Sequence, residues 1–261
     1  MAFGLGGSMR WRVPRAVWIA AALLACAPMD RSLAQPAAAD PLLTDRLSGG
    51  SKPERALFFS GVDLWRNGQA GYGGMLLAPQ AGLNKDGFLI HLFMSDDLER
   101  YDTPTQRFST NIFRASVLPG WRIKRGNLEI KIYAGPAVEH HALKPDIPAD
   151  PLRGSHFGAR IATELWWEPT SATMLAAAAS ATTIGSGYSA RAAAGWRLMD
   201  RFWTGPEVSV SADEFSTQYR IGAHLTGFKT GALEWSAGSG FVEDSFHRNG
   251  IYGRIGVLMR Q

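Results

Sequence analysis

The run Tyr188-Ser189-Ala190-Arg191-Ala192-Ala193-Ala194-Gly195-Trp196-Arg197-Leu198-Met199 decides the fold. Tyr188, Ala190, Ala192, Ala194, Trp196 and Leu198 share one phase of a period of two, and Ser189, Arg191, Gly195 and Arg197 share the other. A strand puts every second side chain on the same face, so one face here is apolar and the other carries guanidinium groups.

The same split recurs outward from this run. Tyr219, Ile221, Ala223 and Leu225 oppose Gln218, Arg220, His224 and Thr226, and Leu233, Trp235 and Ala237 oppose Glu234, Ser236 and Gly238. Upstream, Leu128, Ile130, Ile132 and Ala134 oppose Glu129, Lys131 and Tyr133, while Ile161, Thr163, Leu165 and Trp167 oppose Arg160, Ala162, Glu164 and Trp166. Gly, Pro, Asn and Asp punctuate the runs. The pattern predicts twelve strands, over 56–66, 71–79, 87–95, 111–123, 127–138, 157–168, 171–183, 187–199, 203–212, 217–228, 232–243 and 249–260, with ten as the alternative. Short turns at 125–127, 169–170 and 229–231 contrast with polar segments at 96–110 and 139–156, which read as long loops.

Two stretches fit less well. Met174 to Ala181, with five alanines, has helical propensity as well as strand alternation. Phe88 to Met94 is apolar on both faces apart from His91, which implies an inward apolar surface that another segment covers, the N-terminal segment being one candidate.

A soluble barrel hides its apolar face, whereas a membrane barrel turns it to lipid and lines the lumen with charge. The polar face is a poor hydrophobic core: Ser209, Ser211, Gly222, Ser236, Gly238, Gly240 and Gly256 sit among isolated charges. Trp65, Trp121, Trp166, Trp167, Trp196, Trp203 and Trp235 lie near predicted strand ends, compatible with interfacial girdles. The fold expected is therefore all-β, an antiparallel transmembrane β-barrel over 56–261. The candidate lumen network is Arg114, Glu129, Lys131, Arg160, Glu164, Arg191, Arg197, Glu207, Arg220, Glu234 and Arg254. Many alternate in sign between successive strands, so they can pair across the ladder and leave a mostly occluded pore.

The N-terminus supplies an export signal. Arg10, Arg12 and Arg15 precede an apolar run from Ala16 to Cys26, and Ser32 and Ala34 offer a cleavage site, so 1–34 reads as a signal peptide and 35–55 as a flexible lead-in. Leu23-Leu24-Ala25-Cys26 also loosely resembles a lipoprotein box, with Leu24 bulkier than usual. Cys26 is the single cysteine, so cleavage after Ala34 removes thiol chemistry. The net charge of +4 belongs mostly to the leader: subtracting its four basic and one acidic residues from 27 and 23 leaves 23 and 22. Without a basic stripe, nucleic acid is excluded as a partner.

Enzyme motifs are weak. Gly-x-Ser-x-Gly is absent, and no histidine is followed two places later by serine. Ser209 or Ser211 with His224 and Glu207 is the one trio that merits inspection for a hydrolase, His224 itself fitting the lumen network better. His140, His141 and His156, with Asp146 and Asp150, read as surface-loop residues without metal-site spacing. Gly185-Ser186-Gly187 reads as a hairpin turn. No cofactor is implied.

Several short strings together resemble the alphaproteobacterial cellulose biosynthesis protein BcsS family. They are Phe59-Ser60-Gly61-Val62-Asp63, Tyr72-Gly73-Gly74, Asp86-Gly87-Phe88-Leu89, Gly205-Pro206-Glu207-Val208, Arg220-Ile221-Gly222-Ala223-His224 and Tyr252-Gly253-Arg254-Ile255-Gly256-Val257. The resemblance implies a non-catalytic envelope protein that supports cellulose production or export, an outer-membrane location, and cellulose-export components or a glucan chain as partners beside membrane lipid. It transfers no chemistry to named residues. A lipid- or glycan-modifying hydrolase and a small-solute pore are the alternative functions. The ending Met259-Arg260-Gln261 departs from the terminal aromatic common in outer-membrane barrels.

Overall fold

In the computed structural model the described residues are 54–261, apart from 81, 103–106, 147–149 and 215. The expected leader, Cys26 and nearly all of the lead-in lie outside them. Twelve strands run in chain order: β1 Ala56–Trp65, β2 Gly68–Leu77, β3 Gly87–Asp102, β4 Arg107–Arg125, β5 Leu128–Lys144, β6 Gly154–Thr170, β7 Thr173–Thr182, β8 Tyr188–Leu198, β9 Phe202–Ala212, β10 Thr217–Thr230, β11 Leu233–Asp244 and β12 Asn249–Arg260. Each pairs antiparallel with its sequence neighbour, and β1 closes the barrel on β12 from Leu57↔Arg260 to Trp65↔Tyr252. Closure satisfies both edges of the sheet, which a lipid environment demands.

The alternation decides what faces where. Phe157, Ile251 and Phe241 point outward and are 84%, 72% and 70% exposed, while Glu207, His224 and Arg122 point inward and are 4%, 2% and 2% exposed. A water-soluble barrel has the opposite distribution. On β4 the outward apolar run extends from Phe113 to Ile123. At ~3.4 Å per residue and a tilt near 40°, this span covers roughly 26 Å, close to the apolar height of outer-membrane barrels. The protein is an outer-membrane β-barrel.

Three expectations are corrected. Segments 96–110 and 139–156 are mostly strand: β3 runs to Asp102, β4 begins at Arg107, β5 runs to Lys144 and β6 begins at Gly154. Their outward residues turn polar at Asp96, Asn111, His140 and Ser155, so the ladder continues past the apolar band with polar groups on both faces. His140, His141 and His156 accordingly lie on β5 and β6, in strands and not in a surface loop. Trp65, Trp166 and Trp203 share the lumen-facing phase, whereas Trp121, Trp167, Trp196 and Trp235 face outward, all near the barrel end that holds the termini.

The alanine-rich β7 is a strand throughout. It pairs with β6 from Arg160↔Thr182 and with β8 from Thr173↔Trp196, and two full ladders outweigh helical propensity. The inward apolar face of β3 is covered by the barrel's own wall. Leu89 packs with Leu76, Ala78, Leu118 and Tyr133 and with Leu83, which the β2–β3 connection brings in. The Leu83 amide donates to the Glu54 carbonyl at 2.7 Å, fixing that connection against the start of the barrel.

Candidate functional site

Most of the charged groups that converge among the described residues do so on the lumen face. All eleven predicted residues take the inward phase of their strands, and ten of them form ion pairs. Arg160 is the eleventh: its Nη2 donates to Ser180 Oγ at 3.0 Å and its guanidinium lies 5.3 Å from the Phe93 ring centroid.

The central feature spans the lumen face of β10 and β11. Glu207 on β9 accepts from Arg191 Nη2 on β8 at 2.7 Å, from Arg254 Nη2 on β12 at 2.5 Å and from the Tyr252 hydroxyl on β12 at 2.8 Å. Strands β10 and β11 lie between β9 and β12, and glycines clear the way over them. A Cβ on Gly238 would come within 2.5 Å of Arg254 Nε and 2.7 Å of Glu207 Oε1, and one on Gly222 within 2.6 Å of the Tyr252 hydroxyl. The small inward residues that argue against a hydrophobic core therefore make room for a brace. A buried carboxylate is costly without partners, and here three donors satisfy it.

The loop end carries two further clusters. Arg114 pairs with Asp97 and, at 3.4 Å, with Glu139, which in turn meets His141 Nε2 at 3.2 Å. Arg220 reaches Asp63 on β1 at 2.5 Å and lies 5.1 Å from the ring centroids of both Trp65 and Tyr252. Toward the terminal end, Lys131 bridges Glu129 at 3.2 Å and Glu164 at 3.0 Å, and Arg122 lies 3.3 Å from Glu129. Arg197 meets Glu168 at 3.4 Å over the Trp203 ring, and Glu234 lies 3.8 Å from Arg260.

Asp63, Asp97, Glu139, Glu168 and Tyr252 complete these clusters and were absent from the predicted network. Asp63, Glu168 and Tyr252 could have been found by extending the inward phase to strand ends. Asp97 and Glu139 could not, because their segments read as loops.

The lumen is filled unevenly. Phe59, His91, Phe93 and Tyr133 pack together on the β1–β5 side, with centroid separations of 5.1 to 6.3 Å. On the β7 side a cavity of about 280 Å³ enters between Trp166 and Leu258 and reaches Ala178, Arg191 and His224.

The hydrolase trio is not assembled. Ser209 pairs in register with Arg220, and His224 stands four residues further along β10, roughly 13 Å away along the strand. The His224 ring instead meets the Ala194 carbonyl at 3.1 Å and Thr226 Oγ1 at 3.2 Å. His141 turns inward to Glu139 and packs edge-to-face on His156 with ring centroids 6.2 Å apart, whereas His140 Nδ1 faces Ser155 on the outer surface at 2.8 Å and Asp146 holds Arg153 at 2.6 Å, so only two members of the set come together. Among the described residues no group of three or more metal-ligating side chains is arranged to hold an ion.

Solved structures share the architecture. An outer membrane channel from Pseudomonas putida F1 matches at 7% identity, covering 81% of this chain and 97% of its own, with a TM-score of 0.50. The transport unit of the autotransporter AIDA-I from Escherichia coli matches at 10% identity, covering 81% and 92%, with a TM-score of 0.49. A KdgM porin matches at 10% identity, covering 78% and 98%, with a TM-score of 0.43. At such identities the likeness is one of fold. No curated protein matches the sequence significantly. Residues 57–261, almost the whole barrel, match the family described as cellulose biosynthesis protein BcsS, and the chain belongs to that family.

Proposed function

We propose that this barrel is a non-catalytic accessory of bacterial cellulose production in the outer membrane, with a lumen closed to a glucan chain in this conformation. Family membership supports the link to cellulose. The observation that carries the statement about the lumen is the Glu207 brace, whose donors come from β8 and β12 on either side of a three-strand arc. A sugar polymer passing through would have to break it, leaving two guanidinium groups without their shared carboxylate. The apolar belt binds lipid, and cellulose-export components engaging the rim are the partners this role calls for.

The test is genetic and chemical together. Deleting the gene in a cellulose-producing strain should lower secreted cellulose, and the wild-type protein should restore it. The purified protein should leave glycan and acyl substrates unchanged. Unaltered cellulose secretion in the deletion strain would overturn the role, and substrate cleavage lost on replacing His224 would overturn its non-catalytic character.

A second reading, a small-solute pore, is favoured by the cavity beside β7. It reaches the brace from the terminal end, and its volume of about 280 Å³ suits a small solute and not a polymer.

A further inference from the structure

The geometry points to a binding site for a neutral hexopyranose in the cavity beside β7, with a sugar ring lying on the alanine floor of that strand between Glu164 and Arg191. This inference rests on the small-solute reading and names the solute class.

Register builds the site. On one rung of the lumen wall Trp166 on β6, Ala176 on β7 and Ala193 on β8 stand side by side, and on the next rung Glu164, Ala178 and Arg191 do the same. All of them line the cavity. The middle strand contributes only methyl groups, so the floor is low and apolar, while a carboxylate rises on one side and a guanidinium on the other. Neighbouring strands lie ~4.8 Å apart, so Glu164 and Arg191 spring from the wall about 10 Å from each other, which leaves room for a six-membered ring above Ala178. The Trp166 indole lines the entrance with its N–H already donated to Glu168 Oε1 at 2.9 Å, so what it offers a ligand is its ring. On the β10–β11 wall of the same cavity, Thr226 and Ser236 pair in register and add two hydroxyls.

The lining is charged but balanced, and this selects a neutral solute. Glu129 and Glu164 share Lys131 at 3.2 and 3.0 Å, Arg191 holds Glu207 at 2.7 Å, and Glu234 lies 3.8 Å from Arg260. A charged solute would have to break one of these pairs or remain without a counter-charge, a cost that an uncharged one does not meet. The pairs still leave hydrogen-bonding capacity in the cavity. The side chains of Glu164 and Arg191 are 41% and 38% exposed, and a carboxylate has more lone pairs, and a guanidinium more N–H groups, than a single partner uses. The matching ligand donates and accepts around its rim and lays an apolar face on methyl groups and an indole. A hexopyranose with equatorial hydroxyls has that distribution, with C–H groups on its faces and hydroxyls along its edge. A volume of about 280 Å³ admits a small saccharide and excludes a chain.

The test uses the full barrel in micelles of a detergent without a sugar headgroup, titrated by calorimetry with glucose and separately with cellobiose. Wild type should bind at least one of them saturably, and should bind glucuronate and glucosamine, similar rings carrying a charge of either sign, more weakly. Ala178→Leu fills the floor, so it should abolish binding while keeping the β-sheet circular dichroism of wild type. Glu164→Gln exchanges a charged acceptor for a neutral amide and should weaken binding about tenfold. Absence of saturable binding of both sugars to wild type, wild-type affinity in Ala178→Leu, or tighter binding of either charged ring overturns the site. Should Ala178→Leu fail to fold, wild-type affinity in Glu164→Gln overturns it instead. Planar-bilayer recordings of the same samples keep the two readings apart: sugar binding without current defeats the pore and leaves the site, whereas current without sugar binding does the reverse.

Discussion

Replacing Glu207 with alanine removes the common acceptor of Arg191, Arg254 and Tyr252, whose contacts measure 2.7, 2.5 and 2.8 Å. Glu207 is 4% exposed, Arg254 15% and Arg191 38% at their side chains, so Arg191 can rehydrate but Arg254 is poorly placed to do so. Removing one partner of a buried pair typically costs about 3–5 kcal/mol, and partial rehydration of Arg191 puts Glu207→Ala at the lower end of that range. Glu207→Gln keeps the shape and one acceptor oxygen, so it should lose about half as much. Denaturant unfolding in micelles, followed by tryptophan fluorescence, measures both. The double variant Glu207→Ala/Arg254→Ala should be less destabilised than the sum of its parts, because the second change removes the cation stranded by the first. A Glu207→Ala barrel within about 0.5 kcal/mol of wild type, in the range of an ordinary surface change, would refute the brace as a structural element.

Other consequences are smaller or local. Arg122 is almost fully buried, its Nη1 has no hydrogen-bond partner among the described residues, and Glu129 retains Lys131 at 3.2 Å, so Arg122→Met should be neutral or stabilising by about 1 kcal/mol in the same unfolding assay. Ala192 points outward near the middle of β8, so Ala192→Arg should cost about 2–4 kcal/mol in lipid, the penalty for a cation at mid-bilayer depth. In the β2–β3 connection, the Arg125 hydrogen bond and then the Lys124 amide hold the Asp86 carboxyl below the usual aspartate range. A depressed folded value stabilises above the ordinary aspartate range and fades as pH falls through the folded value. Asp86→Asn should therefore be slightly less stable than wild type at neutral pH and indistinguishable from it in strong acid, with the gap shrinking in high salt.

Much of this architecture is legible in the residues. The alternation in Tyr188–Met199 and its repeats locates all twelve strands and assigns Arg191, Arg197, Arg220 and Arg254 to the lumen, because in a barrel the parity of a residue fixes its face. Partners across the lumen are another matter. Glu207 meets Arg254 three strands away, and this depends on barrel closure and stagger, neither of which a period of two encodes. The glycines that permit the contact look in sequence like generic small residues. Asp97 and Glu139 were hidden for a different reason. Where β3–β6 leave the apolar band, outward Asp96 and His140 are as polar as their inward neighbours, and the contrast that reveals a strand disappears. The covering of the inward face of β3 by Leu76, Leu83 and Leu118 likewise needed the fold, since those residues come from three separate parts of the wall and its connections.

The occlusion of the lumen is the claim on which the functional reading turns. Single-channel recording of the purified barrel in planar bilayers at neutral pH, without added partners, tests it most directly. With the brace intact, at most small currents should pass on the β7 side, and conductance should rise in Glu207→Ala. Steady, large open-pore currents through the wild-type protein, unchanged by Glu207→Ala, would contradict it.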